Sequence, residues 1–406
     1  MNIQFVLYMG FDQHGPSVHL LTDIIEQCLL AGHNVNMIVR NRGGADPDIP
    51  VKLQGYENLR CEVIHDSKLQ KNALIKRYFE DTRYAVRAWR IYRKHHDIDV
   101  VFLQSCTTPL LPIILLKRTL KCSILFNVQN IFPIDALVLN KLSTHGLKGA
   151  AFRVFRKMQQ MAYKRVDRIV TISEDMKQTL LGEGVPEKKV DVVYNWSYSD
   201  EAFDIPDKDN LFLKAHNVDP SKFRVVFAGN LGAMVNAKLI ADAAELCQVE
   251  ENIHFYIIGD GNNMPVLKRL AAEKGLKNMS FYPYQPVEFA PHNYAMAHVN
   301  INALPKGIIY TCMPSKTATM LNCARPMVVS VEKESAFAQM LSEVEKCTIV
   351  DVDDTQGFAE AILSSYRKHI TADSENAREV FRRMCSKKNA KGYADILGEM
   401  GQCESG

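Results

Sequence analysis

Phe223-Arg224-Val225-Val226-Phe227-Ala228-Gly229-Asn230-Leu231-Gly232 is a short β-favouring run that stops in a glycine turn. The same construction returns at His254-Phe255-Tyr256-Ile257-Ile258-Gly259-Asp260-Gly261. β-Branched and aromatic runs of this length, alternating with stretches of helical spacing, mark a parallel sheet covered by helices on both faces. Working outward, further strands are expected at 279–282, 299–301, 327–329 and 348–350. The first half repeats the pattern at 3–8, 35–39, 100–103, 123–128, 168–171 and 190–193, with helical spacing clearest at 18–30 and 71–94. Between the halves, 197–222 is rich in Asp and Pro and holds no period, so the connection is expected there. The expected fold is α/β: two Rossmann-like doubly wound parallel-sheet domains, 1–200 and 201–385, with a helix in 386–406 returning to the first.

Length agrees, since 406 residues suit two domains better than one or three. With 47% apolar and 23% charged residues the composition is that of a globular protein. Ten cysteines without a C-x-x-C pair argue against a structural zinc or a disulfide framework and for a reducing, cytoplasmic location. The start of the chain lacks the pattern of a secretory signal. The apolar stretch 100–116 is interrupted by Gln104, Ser105, Pro109 and Pro112 and does not read as a membrane span. Net charge is +3, but residues 67–96 carry a local excess of +7 and residues 146–168 one of +6, leaving −10 for the rest.

Open α/β sheets bind ligands at the carboxyl ends of their strands, where glycines let backbone amides approach an anion. Neither glycine turn is a G-x-G-x-x-G fingerprint, Gly10 to Gly15 also misses it, and no G-x-x-x-x-G-K-[ST] occurs, which disfavours NAD enzymes and P-loop NTPases. The most informative segment is Tyr310-Thr311-Cys312-Met313-Pro314-Ser315-Lys316-Thr317-Ala318-Thr319. Pro314 suits a helix start, so the amides of Ser315 to Thr317 and the Lys316 ammonium are expected to converge on one anionic group. The plainer reading is a capped helix with a solvated lysine.

The order of these pieces resembles the retaining GT-B glycosyltransferases of family 4. The resemblance rests on Gly10 to Gly15, Gly32-His33-Asn34-Val35, Asp167 to Ser173, Asn195-Trp196, Ala228 to Gly232, Ile257 to Gly261 and Pro314-Ser315-Lys316. Asn127-Val128-Gln129-Asn130-Ile131-Phe132-Pro133 adds likeness to the subgroup that builds bacterial surface polysaccharides. The resemblance implies a nucleotide-sugar donor in a cleft between the domains, no metal and no other cofactor, and transfer with retained anomeric configuration. Lys316, Asn130 and His14 become the expected catalytic contacts. Gly232, Ser315 and Lys316 would face the diphosphate, Gly259, Gly261, Tyr282 and Tyr284 the base, and Thr319 the ribose. Gly15, Gly229, Asn230, Thr311, Met313 and Pro314 complete the donor set, and Lys238 is expected to stand in for a basic residue where this chain has Ala233.

This chain departs from the family at Thr311 and Thr319, which hold the places of two glutamates, and at Asn130, which holds that of an aspartate. A neutral hydroxyl makes a weaker hydrogen bond than a carboxylate. Two alternatives therefore stay open: a catalytically silent GT-B subunit that binds a nucleotide or a partner enzyme, and a sugar-nucleotide epimerase. Asp351-Val352-Asp353-Asp354 resembles a metal-binding D-x-D, but its place before a helix suits acidic residues anyway. Thr171-Ile172-Ser173-Glu174 reads as a capping box. The expected acceptor is a lipid-linked or membrane-bound glycan. Arg83, Arg87 and Arg90 in 71–94, and Arg153, Arg156 and Lys157 among Phe152, Val154, Phe155 and Met158 in 148–165, are read as contacts to an anionic membrane surface on its cytoplasmic face. Nucleic acid is not an expected partner.

Overall fold

The computed structural model describes residues 1–11, 16–41, 49–66, 74–94, 97–106, 109–120, 122–369 and 374–402. They form two compact units, Met1–Asn195 with Lys387–Gly406 and Trp196–Ser386.

The first unit is built on seven strands: β1 Asn2–Leu7, β2 Asn34–Asn41, β3 Leu59–His65, β4 Val100–Gln104, β5 Ser123–Val128, β6 Arg168–Thr171 and β7 Val190–Val192. They lie in the order β3-β2-β1-β4-β5-β6-β7, and every pairing is parallel. β1, β4 and β5 are buried almost throughout, because helices cover both of their faces. β3 was not expected from the sequence; at the sheet edge it alternates half-buried and exposed residues, with Arg60 and Glu62 in mid-strand.

The second unit has β8 Phe223–Asn230, β9 Ile253–Asp260, β10 Met279–Tyr282, β11 Val299–Ala303, β12 Met327–Ser330 and β13 Cys347–Val350. Their order, β10-β9-β8-β11-β12-β13, is again parallel throughout. Phe227, Ile240, Phe255, Ile257, Ile301 and Phe358 lie in its core. Each sheet reverses its strand order once, between β1 and β4 and between β8 and β11, and such reversals open a crevice at the carboxyl ends of the strands.

Helix starts are fixed by side chains that accept from otherwise unpaired amides. Asn236 accepts from Leu239, Ser335 from Ala338, and Asp354 from Gly357, so the last acid of the D-x-D-like run is a helix cap. The cap expected from Thr171 is made by Ser173, which accepts from Met176, while the Thr171 hydroxyl donates to the Val128 carbonyl.

Residues 197–222, expected as a connection, are a packed part of the second unit. Asn210 caps the helix Leu211–His216, and the Phe212 ring meets Tyr282 at 5.0 Å. Chain reversal at the other boundary brings the helix Lys388–Gln402 onto β4 and β5 of the first unit. There the buried Tyr393 hydroxyl donates to the Asn127 side-chain oxygen at 3.3 Å. Asn127 also accepts from Gln129, which accepts from Asn195.

One charge cluster lies wholly inside the first unit. Arg40, at the end of β2, is fully buried and reaches Asp66 at 2.8 Å and Asp81 at 2.6 Å, with its guanidinium 5.0 Å from the Tyr84 ring centre. No described helix is long and apolar enough to cross a membrane.

Candidate functional site

β8 and β9 run side by side to paired glycines, Gly229 opposite Gly259, with Asn230 opposite Asp260. All three glycines here hold backbone angles that side chains disfavour: φ is 114° at Gly229, 135° at Gly259 and 149° at Gly261. A Cβ on Gly259 would collide with the Gly229 carbonyl, and one on Gly261 with the Leu231 carbonyl. The glycines therefore let two strand ends close to backbone contact and leave bare peptide at the sheet edge. Asn230 is exposed there, and its side chain lies beside Gly232.

The helix Lys316–Cys323 begins at Ser315, whose side chain makes no cap, and Pro314 precedes it. Three free amides were expected, but Thr317 donates its own to the Pro314 carbonyl at 3.2 Å, leaving Ser315 and Lys316. Lys316 is not solvated. Its ammonium lies 3.6 Å from the centre of the Phe227 ring, out of water and without a hydrogen-bond partner among the described residues. Its stem reaches the Gly229 turn, 4.0 Å from where a Cβ there would sit. Burial pulls its pKa down to about 7. The neighbouring Thr317 hydroxyl is also buried and unpartnered.

At the ends of β9 and β10 an open recess of about 390 Å³ is lined by Gly259, Asp260, Met264, Lys268, Tyr282 and Tyr284 among others. That size suits a flat ring with a few polar contacts. The Tyr284 hydroxyl points to the Asp260 carbonyl at 3.4 Å, and the Lys268 ammonium lies 5.5 Å from the Phe281 ring centre. The Tyr282 ring is braced edge-on by Phe212 and His216.

The structure thus gathers Gly229, Asn230, Gly232, Gly259, Gly261 and Lys316 at adjacent strand ends, with Tyr282 and Tyr284 on the recess beside them. Met313 is buried just ahead of the helix, and Thr319 lies half-buried one turn beyond Lys316. Thr311 differs from expectation: it is fully buried, and its hydroxyl donates to the Ile308 carbonyl at 3.0 Å, closing its own turn. The Lys238 ammonium is paired with Asp242 at 2.5 Å on an exposed helix face. In the first unit Asn130 donates to Asp135 at 3.0 Å, a buried carboxylate that the sequence reading passed over. His14 and Gly15 lie outside the described residues.

Sequence reasoning missed Phe227, Met264 and Lys268. Phe227 reads as plain strand core, and nothing in the sequence ties it to Lys316. Met264 and Lys268 stand four apart just after the Gly261 turn, the spacing of one helix face, and that signal was legible.

Similarity to known proteins follows the same division. Residues 17–196 match the family described as Glycosyltransferase Family 4, and residues 222–368 that described as Glycosyl transferases group 1. A putative colanic acid biosynthesis glycosyl transferase, WcaI of Escherichia coli (strain K12), is 23% identical over 261 residues. That match spans 64% of this chain and 63% of WcaI. Among solved structures, Anabaena HepE in complex with UDP-glucose has a TM-score of 0.72 at 15% identity, covering 98% of this chain and 100% of that one. Sucrose-phosphate synthase from Thermosynechococcus elongatus gives 0.73 at 14%, covering 100% and 99%. These likenesses carry the fold, which is GT-B in its two Rossmann-like domains. Matched in turn along its length, the chain carries a Glycosyltransferase Family 4 domain at 17–196 and a Glycosyl transferases group 1 domain at 222–368.

Proposed function

We propose that this protein transfers a sugar from a nucleoside-diphosphate sugar to a membrane-associated glycan acceptor, with retained anomeric configuration, in surface-polysaccharide synthesis. One observation carries the donor half: Lys316, a buried cation without a counter-ion among the described residues, beside a helix start with no side-chain cap and a glycine-walled strand end. As the sugar leaves, negative charge builds on the diphosphate, and preorganised donors aimed at that charge lower the barrier. Lys316 and the Ser315 and Lys316 amides are such donors, doing without a metal the work a divalent cation does elsewhere. The base sits in the recess between Gly259 and Tyr284. The acceptor hydroxyl attacks on the face the diphosphate vacates, so no protein nucleophile is required. HepE was solved with UDP-glucose, which makes UDP-sugars the first donors to try.

A second reading, a nucleotide-binding subunit that transfers nothing, draws on Thr311, whose hydroxyl is spent on Ile308. Thermal-shift measurements with UDP-, GDP-, dTDP- and CMP-sugars, followed by assay of donor hydrolysis and transfer, separate the two. A ligand at a hundred times its dissociation constant adds about 2.7 kcal/mol of stability. One nucleotide class is expected to raise the melting temperature and to be consumed. Binding without consumption favours the silent subunit; no shift with any nucleotide removes both.

Of the two basic helices expected at the membrane, the second is the one proposed to meet it. On Leu74–Tyr92, Tyr84, Ala85, Ala88 and Tyr92 face the core, the Trp89 indole donates to Thr119, and Arg87 is held by Asp66 at 3.0 Å. On Gly146–Arg165, Phe152 is buried and Phe155 packs on Phe132, while Arg156 pairs with Glu183. The opposite face leaves Leu147 91% and Val154 58% exposed among exposed Lys148, Arg153 and Lys157. Apolar residues interleaved with cations favour an anionic bilayer surface. Co-sedimentation with phosphatidylglycerol-containing liposomes is expected, weakening with salt, and lost when Lys148, Arg153 and Lys157 are together changed to Glu. Equal recovery in the supernatant with neutral and anionic vesicles rejects the membrane contact.

A further inference from the structure

The donor-site reading leaves Phe227 without a role, although its ring is what Lys316 touches. Phe227 is fully buried on β8, two residues before the Gly229 turn, and its ring centre lies 3.6 Å from the Lys316 ammonium. A cation over an aromatic face is drawn to the electron-rich centre of the ring, most strongly where water is excluded. A buried lysine ordinarily has a carboxylate or carbonyls to hold it. Here no carboxylate, hydroxyl or carbonyl bonds to the ammonium among the described residues. The titratable neighbour at the same strand end is Tyr294, whose hydroxyl donates to the Ala228 carbonyl at 2.9 Å and which burial keeps neutral.

Resting on the proposed donor site, we propose that Phe227 is the positioning residue of Lys316: its ring seats the ammonium at the Gly229 turn without neutralising it. A carboxylate in that place would hold the lysine equally well, but would oppose any anion brought to it. The ring attracts the cation and offers the incoming diphosphate no charge to displace. The electrostatic demand of the leaving group is then met by a cation whose rival partner, the Phe227 ring, is weak and neutral.

The test changes the ring electronically while nearly keeping its shape. Phe227 is replaced by 3,4,5-trifluorophenylalanine, in which fluorine drains the ring face, in protein carrying ¹³C-labelled lysine; the Lys316 signal is identified by its loss in Lys316→Ala. Two quantities are read: the pH midpoint of the Lys316 side-chain signal in the free protein, and the affinity for UDP at pH 7 by calorimetry. The fluorinated ring is expected to lower the midpoint and weaken UDP binding by about threefold to tenfold, the scale of a desolvated cation–ring contact. The midpoint needs no ligand, so it judges the seat even if UDP is the wrong nucleotide. An unchanged midpoint overturns the proposal. A lowered midpoint with unchanged UDP affinity upholds the seat and overturns the placing of the diphosphate beside Lys316. Phe227→Leu, which keeps an apolar core, should act in the same direction, and a Leu variant that titrates like the native protein also overturns it.

Discussion

Lys316→Ala should slow turnover by about 10²-fold or more, the usual scale for removing a preorganised donor from a developing oxyanion. The loss should persist at saturating donor, because the interaction strengthens as charge moves onto the diphosphate. Steady-state kinetics with the nucleotide sugar found by thermal shift would read it, and an unchanged kcat would remove Lys316 from the reaction. The pH dependence has a definite sign. In the free protein burial pulls this lysine from 10.5 to about 7. A bound diphosphate favours the charged form and holds the proton to higher pH. Donor affinity should therefore be greatest below about pH 7 and weaken above it, by up to about tenfold per pH unit while only the complex is protonated. Calorimetry in buffers of different ionisation enthalpy should show a proton taken up on binding at pH 8. Without donor the linkage reverses: the unfolded lysine holds its proton up to 10.5, so this group adds stability as pH rises from about 7 towards that value.

Arg40→Leu should destabilise the first unit by about 3–5 kcal/mol, the cost of stranding buried charge when one partner is removed. The side chains of Asp66 and Asp81 are only 2% and 4% exposed, so water cannot replace the guanidinium. Arg87 still reaches Asp66 at 3.0 Å, so that carboxylate keeps one cation in the variant. Adding Asp81→Leu should recover much of the loss, since a whole buried pair is often replaceable by apolar side chains. The chain has two tryptophans, Trp89 in the first unit and Trp196 in the second. In 5-fluorotryptophan protein each gives its own resonance during urea unfolding. The Trp89 signal should shift to lower urea in Arg40→Leu while that of Trp196 holds. Coincident midpoints in native and variant protein would mean that the cluster adds nothing to stability.

Reading parallel strands from the sequence worked where burial on both faces made continuous apolar runs, as at Phe102 in β4 or Ile257 in β9. It failed at β3, where Arg60 and Glu62 in mid-strand break any such run at the sheet edge. It failed again at 197–222, because a helix of six residues, Leu211–His216, is too short to show a period. The glycine turns were legible because only backbone without a Cβ can follow their course. Lys316 was legible as a residue and not as an environment: helix position says where its Cα lies, and tertiary packing decides that the ammonium folds back onto Phe227. The pairing of Lys238 with Asp242 was legible too, since residues one helical turn apart engage each other.

The return of the chain at Lys387 makes the second unit an insertion within the first. This matters at the ribosome, where the N-terminus emerges first. Strands β1 to β7 are exposed early, but Asn127 meets Tyr393 only after all of Trp196–Ser386 has been translated. At about 5–20 residues per second that interval lasts roughly ten to forty seconds. During it the second unit can complete its own core, whereas the first displays the bare β4 and β5 face that Lys388–Gln402 will cover. The part of the protein made first is thus the last to be finished, and the hydrophobic surface a chaperone would meet on the nascent chain belongs to the N-terminal sheet.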